Sequence, residues 1–103
     1  MKVLHTTLAA AVAAGTLLAA PARADDALAK KHNCLACHMV DKKSVGPAYQ
    51  DIAKKYKGQN VGTKLEEKVK KGGSGVWGQV PMAPNPTVPD GDIKKLVAWI
   101  LAM

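Results

Sequence analysis

The residues best suited to chemistry in this chain are Cys34, Cys37 and His38, which form the segment Cys-Leu-Ala-Cys-His. Two thiols three positions apart, followed at once by a histidine, have the spacing used for covalent attachment of a c-type haem. On a helical turn or in a tight loop, both sulfurs would reach the vinyl groups of one porphyrin while the adjacent imidazole points at the iron. Because the chain has two cysteines in all, the motif predicts one haem per chain.

A Cys-x-x-Cys pair also suits dithiol redox chemistry or one half of a zinc site. A dithiol oxidoreductase would surround the pair with a βαβ pattern, and the near absence of strand patterns argues against that class. A haem-based sensor or a peroxidase-like protein would keep one axial position of the iron open. A visible spectrum distinguishes these classes, because only the haem proteins have a Soret band and only the open site is high-spin in the ferric state.

The first 24 residues have the composition of a secretory signal peptide. Lys2 supplies the positive start, residues 8–20 form an apolar run, and residues 22–24 fit the small-x-small cleavage pattern. The apolar run is shorter than the ~20 residues that a membrane-spanning helix needs. We therefore predict a signal peptide over residues 1–24, export to the periplasm, no stable membrane insertion, and a single domain over residues 25–103.

A domain of residues 25–103 is near the length at which a chain alone struggles to bury a sufficient core. The sequence contains no phenylalanine, two tryptophans and two tyrosines, so few large apolar side chains are available. A buried haem would add a large apolar surface on which the helices could pack. The composition therefore predicts that folding depends on the cofactor.

Lysine dominates the charge, and the formal net charge of the full sequence is +7. Lysine pairs recur along the whole chain and do not form one basic tail, which together with the export signal argues against nucleic-acid binding. A subset of these lysines could steer an acidic redox partner to the protein. The best candidates for that docking surface are the lysines that flank the cysteine motif: Lys30, Lys31, Lys42 and Lys43.

Short helical patterns alternate with loops rich in glycine and proline, which predicts an all-α domain of four to five short helices. The first helix is expected over residues 26–32, where acids precede Lys30 and Lys31 as the helix dipole favours. The second should end near Gly58. Its predicted apolar face has helical spacing: Tyr49, Ile52, Ala53 and Tyr56.

The third helix is expected to begin at Thr63, where Thr63 and Glu66 fit a capping box, and to stop at residues 72–73. The fourth should be capped by Asp90 and should pack on the first helix around Leu28. It has a continuous apolar stripe: Ile93, Leu96, Val97, Ile100 and Leu101.

Residues 72–86 contain several glycines and prolines, which predicts a stiff, extended loop without regular structure. Met82 lies in this loop and is the predicted iron ligand opposite His38, because a thioether favours ferrous iron and suits a carrier that cycles between Fe(II) and Fe(III). The other methionines and histidines leave with the signal peptide, lie beside the attachment site or end the chain: Met1, His5, His32, Met39 and Met103.

Taken together, residues 25–103 resemble the short bacterial class I monohaem cytochromes c over nearly their whole length. The resemblance is carried by the haem-attachment motif, by a terminal helix that contains Trp99, and by three further segments: Val45-Gly46-Pro47-Ala48-Tyr49, Gly75-Val76-Trp77-Gly78 and Pro81-Met82-Ala83-Pro84.

The resemblance implies a class I cytochrome c fold, with short helices wrapped around one covalently attached haem whose iron is held by His38 and Met82. The implied function is periplasmic one-electron transfer by a monomer. With both axial positions filled by protein, no open site is left for a substrate, so we do not expect an enzyme. The expected partners are acidic periplasmic or membrane-bound redox proteins, with a cytochrome complex as donor and a nitrite reductase or a terminal oxidase as acceptor.

The resemblance also implies roles for residues around the iron ligands. The Pro47 carbonyl would accept a hydrogen bond from His38 Nδ1, and Trp77 would donate its indole N–H to a haem propionate. Asn85 would either donate a hydrogen bond to the Met82 sulfur or simply cap its own loop. Lys68 stands where family members often carry an arginine that faces a propionate, and a lysine cannot make that bidentate contact.

Overall fold

A computed structural model describes residues 22–103, with side chains described from Asp25 onward. The predicted signal peptide therefore lies almost wholly outside the described residues. A short 3₁₀ turn contains the first cysteine (Cys34–Ala36), and the remaining elements in chain order are α1 (Ala22–Lys31), α2 (Tyr49–Tyr56), α3 (Gly62–Lys71), β1 (Gly73–Gly75), β2 (Gly78–Met82) and α4 (Asp90–Leu101). Helix α1 begins earlier than the predicted residues 26–32 and ends one residue earlier, at Lys31.

Helix α4 is the element on which α1, α2 and α3 all pack. Its predicted apolar stripe is confirmed by burial of Ile93, Leu96, Val97 and Ile100, while Leu101 is partly exposed. Spacing of three and four residues puts these side chains on one helix face, so a single helix can close the core against three neighbours. Around Val97, the core cluster consists of Val88, Ile93, Leu65, Val69 and Leu101.

Both predicted helix caps are wrong. The backbone N–H of Leu65 donates to the Val61 carbonyl, so α3 begins one residue before Thr63 and encloses the proposed capping residue in its first turn. Asp90 is the first residue of α4, because Pro89 precedes it in an extended conformation and occupies the cap position. Neither cap makes a side-chain hydrogen bond, although Asp90 still lies where the helix dipole stabilises a carboxylate.

Residues 73–82 form a two-stranded antiparallel hairpin, where the sequence predicted a loop without regular structure. Gly73 pairs with Met82, and Gly75 pairs with Gly78. These three glycines have φ between +111° and +126°, a region open to glycine, and this freedom lets the chain turn tightly. Pro81 is tolerated in β2 because both strands of a two-stranded ribbon are edge strands. The hairpin still limits the motion of Met82, which is its last residue.

Asn33 joins α1 to the cysteine turn in a left-handed conformation, with φ of 59°. Its carbonyl accepts the backbone N–H of Ala36, so this conformation starts the turn that carries Cys34. We expect Asn33→Ala to lower the free energy of unfolding by about 1 kcal/mol, because a Cβ-bearing residue without a polar side chain tolerates positive φ poorly. Asn33→Gly is the matched control and should preserve stability. Urea unfolding of both haem-loaded variants checks this, and equal losses in the two would contradict the backbone explanation.

Candidate functional site

An apolar cleft of about 860 Å³ lies between the helices and the hairpin. It is bordered by residues of the cysteine turn, of all four helices and of both strands. All the residues that the sequence predicted for the site line this cleft: Cys34, Cys37, His38, Pro47, Trp77, Met82 and Asn85. The fold thus brings residues that are far apart in the chain around one cavity.

The cysteine motif forms a compact turn at the cleft. The backbone N–H groups of Cys37 and His38 both bond to the Cys34 carbonyl, at 3.3 and 3.0 Å. Cys34 is half-buried, Cys37 is exposed, and the two thiols are not joined in a disulfide. Burial raises the pKa of the Cys34 thiol, so that thiol is neutral near pH 7. Both cysteines border the cleft, where their sulfurs can bond to a group bound in it.

His38 is buried, and its ring orientation is constrained by the segment that follows the motif. Its Nδ1–H donates to the Pro47 carbonyl at 2.7 Å, the contact that the family resemblance implied. That bond defines the tautomer and leaves Nε2 with its lone pair for a metal. Gly46 packs so closely on the ring that a Cβ there would lie 2.7 Å from His38 Cε1. The requirement for glycine at this position could not be inferred from the motif alone.

The backbone around Met82 is anchored to the C-terminal end of α3. Gly72 ends that helix with φ of +69°, and a Cβ there would lie 2.3 Å from the Met82 carbonyl oxygen. The Asn85 backbone N–H donates to the Lys70 carbonyl at 3.0 Å. Together with the pairing of Met82 to Gly73, these contacts hold the methionine from both sides.

Asn85 uses its side chain to bind the loop to α3. Nδ2 donates to the Val69 carbonyl at 3.0 Å and to the Ala83 carbonyl at 3.2 Å. An amide nitrogen has two hydrogens, and both are used here. These contacts match the loop-capping alternative. A hydrogen bond from Asn85 to the Met82 sulfur would require one of them to break, and it stays a prediction.

Trp77 lies at the tip of the hairpin. It contacts α2, and the sequence did not predict this contact. The Nζ atom of Lys55 lies 5.6 Å from the centre of the Trp77 ring and 5.9 Å from that of Tyr56. Such cation–π contacts are worth about 0.5–1 kcal/mol at exposed sites. Lys68 also borders the cleft, close to Gly73. The contact of Trp77 with a haem propionate stays a prediction.

A second missed contact joins the residue after α1 to α4, beside the motif. His32 Nε2 lies 3.0 Å from Asp92 Oδ2, and both side chains are largely buried. The two residues are 60 positions apart, so no local pattern could have indicated the pair. The Asp92 carboxylate contacts one ring nitrogen of His32, which is consistent with the prediction that His32 is not an iron ligand.

The apolar side chains that the fold leaves exposed match a haem in this cleft. Of the six large apolar residues exposed in the described part of the chain, four line the cleft: Val45, Val76, Trp77 and Val80. Such a concentration of exposed apolar surface marks a binding site. Within residues 22–103, no three His, Cys, Asp or Glu side chains gather as a zinc site would require. The sheet in that part is the antiparallel hairpin alone, which also excludes the βαβ surroundings of a dithiol oxidoreductase.

The fold and the cleft are those of a small haem protein, and residues 24–103 match the family model for cytochrome c. The chain belongs to the cytochrome c family, as a short class I monohaem cytochrome. It carries one covalently bound haem c and acts as an electron carrier, not an enzyme. The described helices include none long and apolar enough to cross a membrane.

Known relatives support this assignment over most of the chain. Cytochrome c-552 of Nitrosomonas europaea is 53% identical over 92 residues, which cover 88% of this chain and 89% of the relative. Cytochrome c-551 of Pseudomonas aeruginosa is 46% identical, with the same two coverages. The crystal structure of wild-type cytochrome c552 from Nitrosomonas europaea superposes with a TM-score of 0.71 at 55% identity, covering 75% of this chain and 96% of that one.

Proposed function

We propose that His38 and Met82 are the two axial ligands of the haem iron and that this carrier works in the periplasm after removal of residues 1–24. The haem supplies the one-electron Fe(II)/Fe(III) couple when bound. The observation that carries the proposal is that both side chains border one cleft, each attached to backbone that several contacts hold in place.

The rigidity of the two ligand segments suits electron transfer. The Pro47 carbonyl orients His38, while the hairpin and Asn85 limit the movement of Met82. Apolar side chains from α4 exclude water from the cleft on the side of the core, including Leu96 and Ile100. A site whose geometry barely changes between the two oxidation states has a small reorganisation energy, and this favours fast electron exchange.

The charge around the cleft supports an acidic partner. Among the described residues, only one acidic residue borders it, Asp51. Four lysines also border it: Lys31, Lys43, Lys64 and Lys68. Lys30, by contrast, does not border the cleft, and it pairs with Asp26 at 3.4 Å. We therefore assign Lys31 and Lys43 to the docking surface ahead of Lys30. A cytochrome complex as donor, and a nitrite reductase or terminal oxidase as acceptor, would need an acidic face that complements these lysines.

Oxidation of the ferrous protein by ferricyanide tests this surface, because ferricyanide is a small anion that stands in for an acidic partner. The second-order rate constant should fall as ionic strength rises, since charges are screened beyond about 8 Å at physiological salt. Lys43→Glu should lower the rate on the order of fivefold at low salt and flatten the salt dependence. Stopped-flow absorbance of the haem measures both.

The control is Lys94→Glu, because Lys94 lies on α4 next to α3 and outside the cleft. It changes the net charge equally and should have a smaller effect on the rate. A cationic oxidant, tris(phenanthroline)cobalt(III), should show the opposite salt dependence with the wild-type protein. Equal effects of the two lysine variants would contradict a docking surface at the cleft.

A further inference from the structure

Tyr49 is a buried aromatic residue that contacts the proposed iron ligand His38. It is the first residue of α2, and its side chain is 3% exposed. Its ring stacks on the His38 imidazole, with ring centres 5.1 Å apart and planes inclined by 21°. This near-parallel, offset contact covers part of one face of the imidazole.

Other contacts prevent Tyr49 from moving independently of His38. The Tyr49 backbone N–H donates to the carbonyl of Met39, the residue after His38, at 2.9 Å. The Trp99 ring also meets Tyr49 edge to face, with centres 5.6 Å apart and an angle of 74°. Helix α4 thus supports Tyr49, and Tyr49 supports the imidazole.

The hydrogen bond from His38 to Pro47 does not by itself define the plane of the ring. A single bond at Nδ1 sets the direction in which that nitrogen points, but it leaves the imidazole able to tilt about the contact. The close approach of Gly46 restricts one edge of the ring. A flat aromatic surface against the ring face restricts the remaining tilt.

We propose that Tyr49 is a positioning residue that sets the plane of the His38 imidazole, with Trp99 supporting it from α4. This inference rests on the proposed role of His38 as an iron ligand. The orientation of an axial imidazole decides how it overlaps with the d orbitals of a low-spin ferric iron. Together with the ligand on the other side of the iron, it therefore contributes to the anisotropy of the electron spin, which is a property that neighbouring residues tune.

The Tyr49 hydroxyl is separable from this role. Burial raises the pKa of Tyr49 above its ordinary value. Removing the hydroxyl should leave the stacking contact intact, and this provides a matched pair of substitutions.

The test compares Tyr49→Leu with Tyr49→Phe in the haem-loaded ferric protein. Tyr49→Leu should change the principal g values in electron paramagnetic resonance and shift the haem-methyl proton resonances by several parts per million. Tyr49→Phe should preserve both signatures. Ile93→Ala is the control for lost stability, because Ile93 is buried in the core cluster around Val97. It should lower the melting temperature and leave both signatures unchanged.

Wild-type g values and methyl shifts in Tyr49→Leu would overturn the proposal. If that variant does not fold, Trp99→Leu, which keeps the tyrosine but removes its support, must move the same signals, and unchanged signals would again overturn it. Failure of the proposed Met82 ligation is recognised separately, in the wild-type protein, by the absence of a sulfur-to-iron charge-transfer band.

Discussion

Met82→Ala should abolish the sulfur-to-iron charge-transfer band at the red end of the visible spectrum and lower the reduction potential. A thioether stabilises ferrous iron, so its loss favours the ferric state. Axial ligands span about 0.8 V in haem proteins, and we expect a decrease on the order of 0.1–0.3 V here. The variant should also bind added cyanide much faster than the wild type. Spectroscopy and redox titration of the purified ferric protein measure these effects.

The fold predicts that Met82→Ala acts mainly on the iron and little on the surrounding loop. The contacts that anchor this segment come from Gly72, Gly73 and the Asn85 side chain, and the substitution removes none of them. Met39→Ala is the matched control, because Met39 is exposed and follows His38 directly. If Met39→Ala abolished the band, or if Met82→Ala retained it, the proposed ligand pair would be wrong.

The double variant Cys34→Ala, Cys37→Ala should be largely unfolded and sensitive to proteases. The buried apolar core is small, and three of its nine members are alanines: Ala29, Ala48 and Ala53. The cleft of about 860 Å³ would have to fill with water or collapse without its cofactor. Each ~1.4 kcal/mol lost is a tenfold change in the folding equilibrium, and a domain this small has little stability to lose.

Far-UV circular dichroism and limited proteolysis check the double variant. The wild-type polypeptide prepared without haem is the control, because it keeps both thiols and should be just as unfolded. That comparison separates loss of the haem from loss of the cysteines. A cooperative thermal transition from native helix content in either haem-free protein would falsify the dependence of folding on the cofactor.

Local patterns in the sequence were sufficient for a correct prediction where the residues involved are close together in the chain. The spacing of Cys34, Cys37 and His38 predicted the haem because the chemistry depends on neighbours within one turn. The apolar spacing in α4 predicted its buried face because helical periodicity is itself local. Where local rules competed, they failed. The capping box predicted at Thr63 does not form, because the helix starts at Gly62. Residues 73–82 were predicted as a loop because they are rich in glycine, but they pair as a hairpin.

By itself, the sequence predicted the cofactor, its attachment site and the helical class of the fold, since each follows from residue types at short spacing. Only the tertiary structure decided which side chains support the proposed ligands. Tyr49 meets Trp99, and His32 meets Asp92, across separations that no periodic pattern spans. Asn85 binds the end of α3, a contact that exists only once the hairpin has folded back. These contacts between distant segments form only when α1, α2 and α3 pack on α4, so their geometry depends on the tertiary structure.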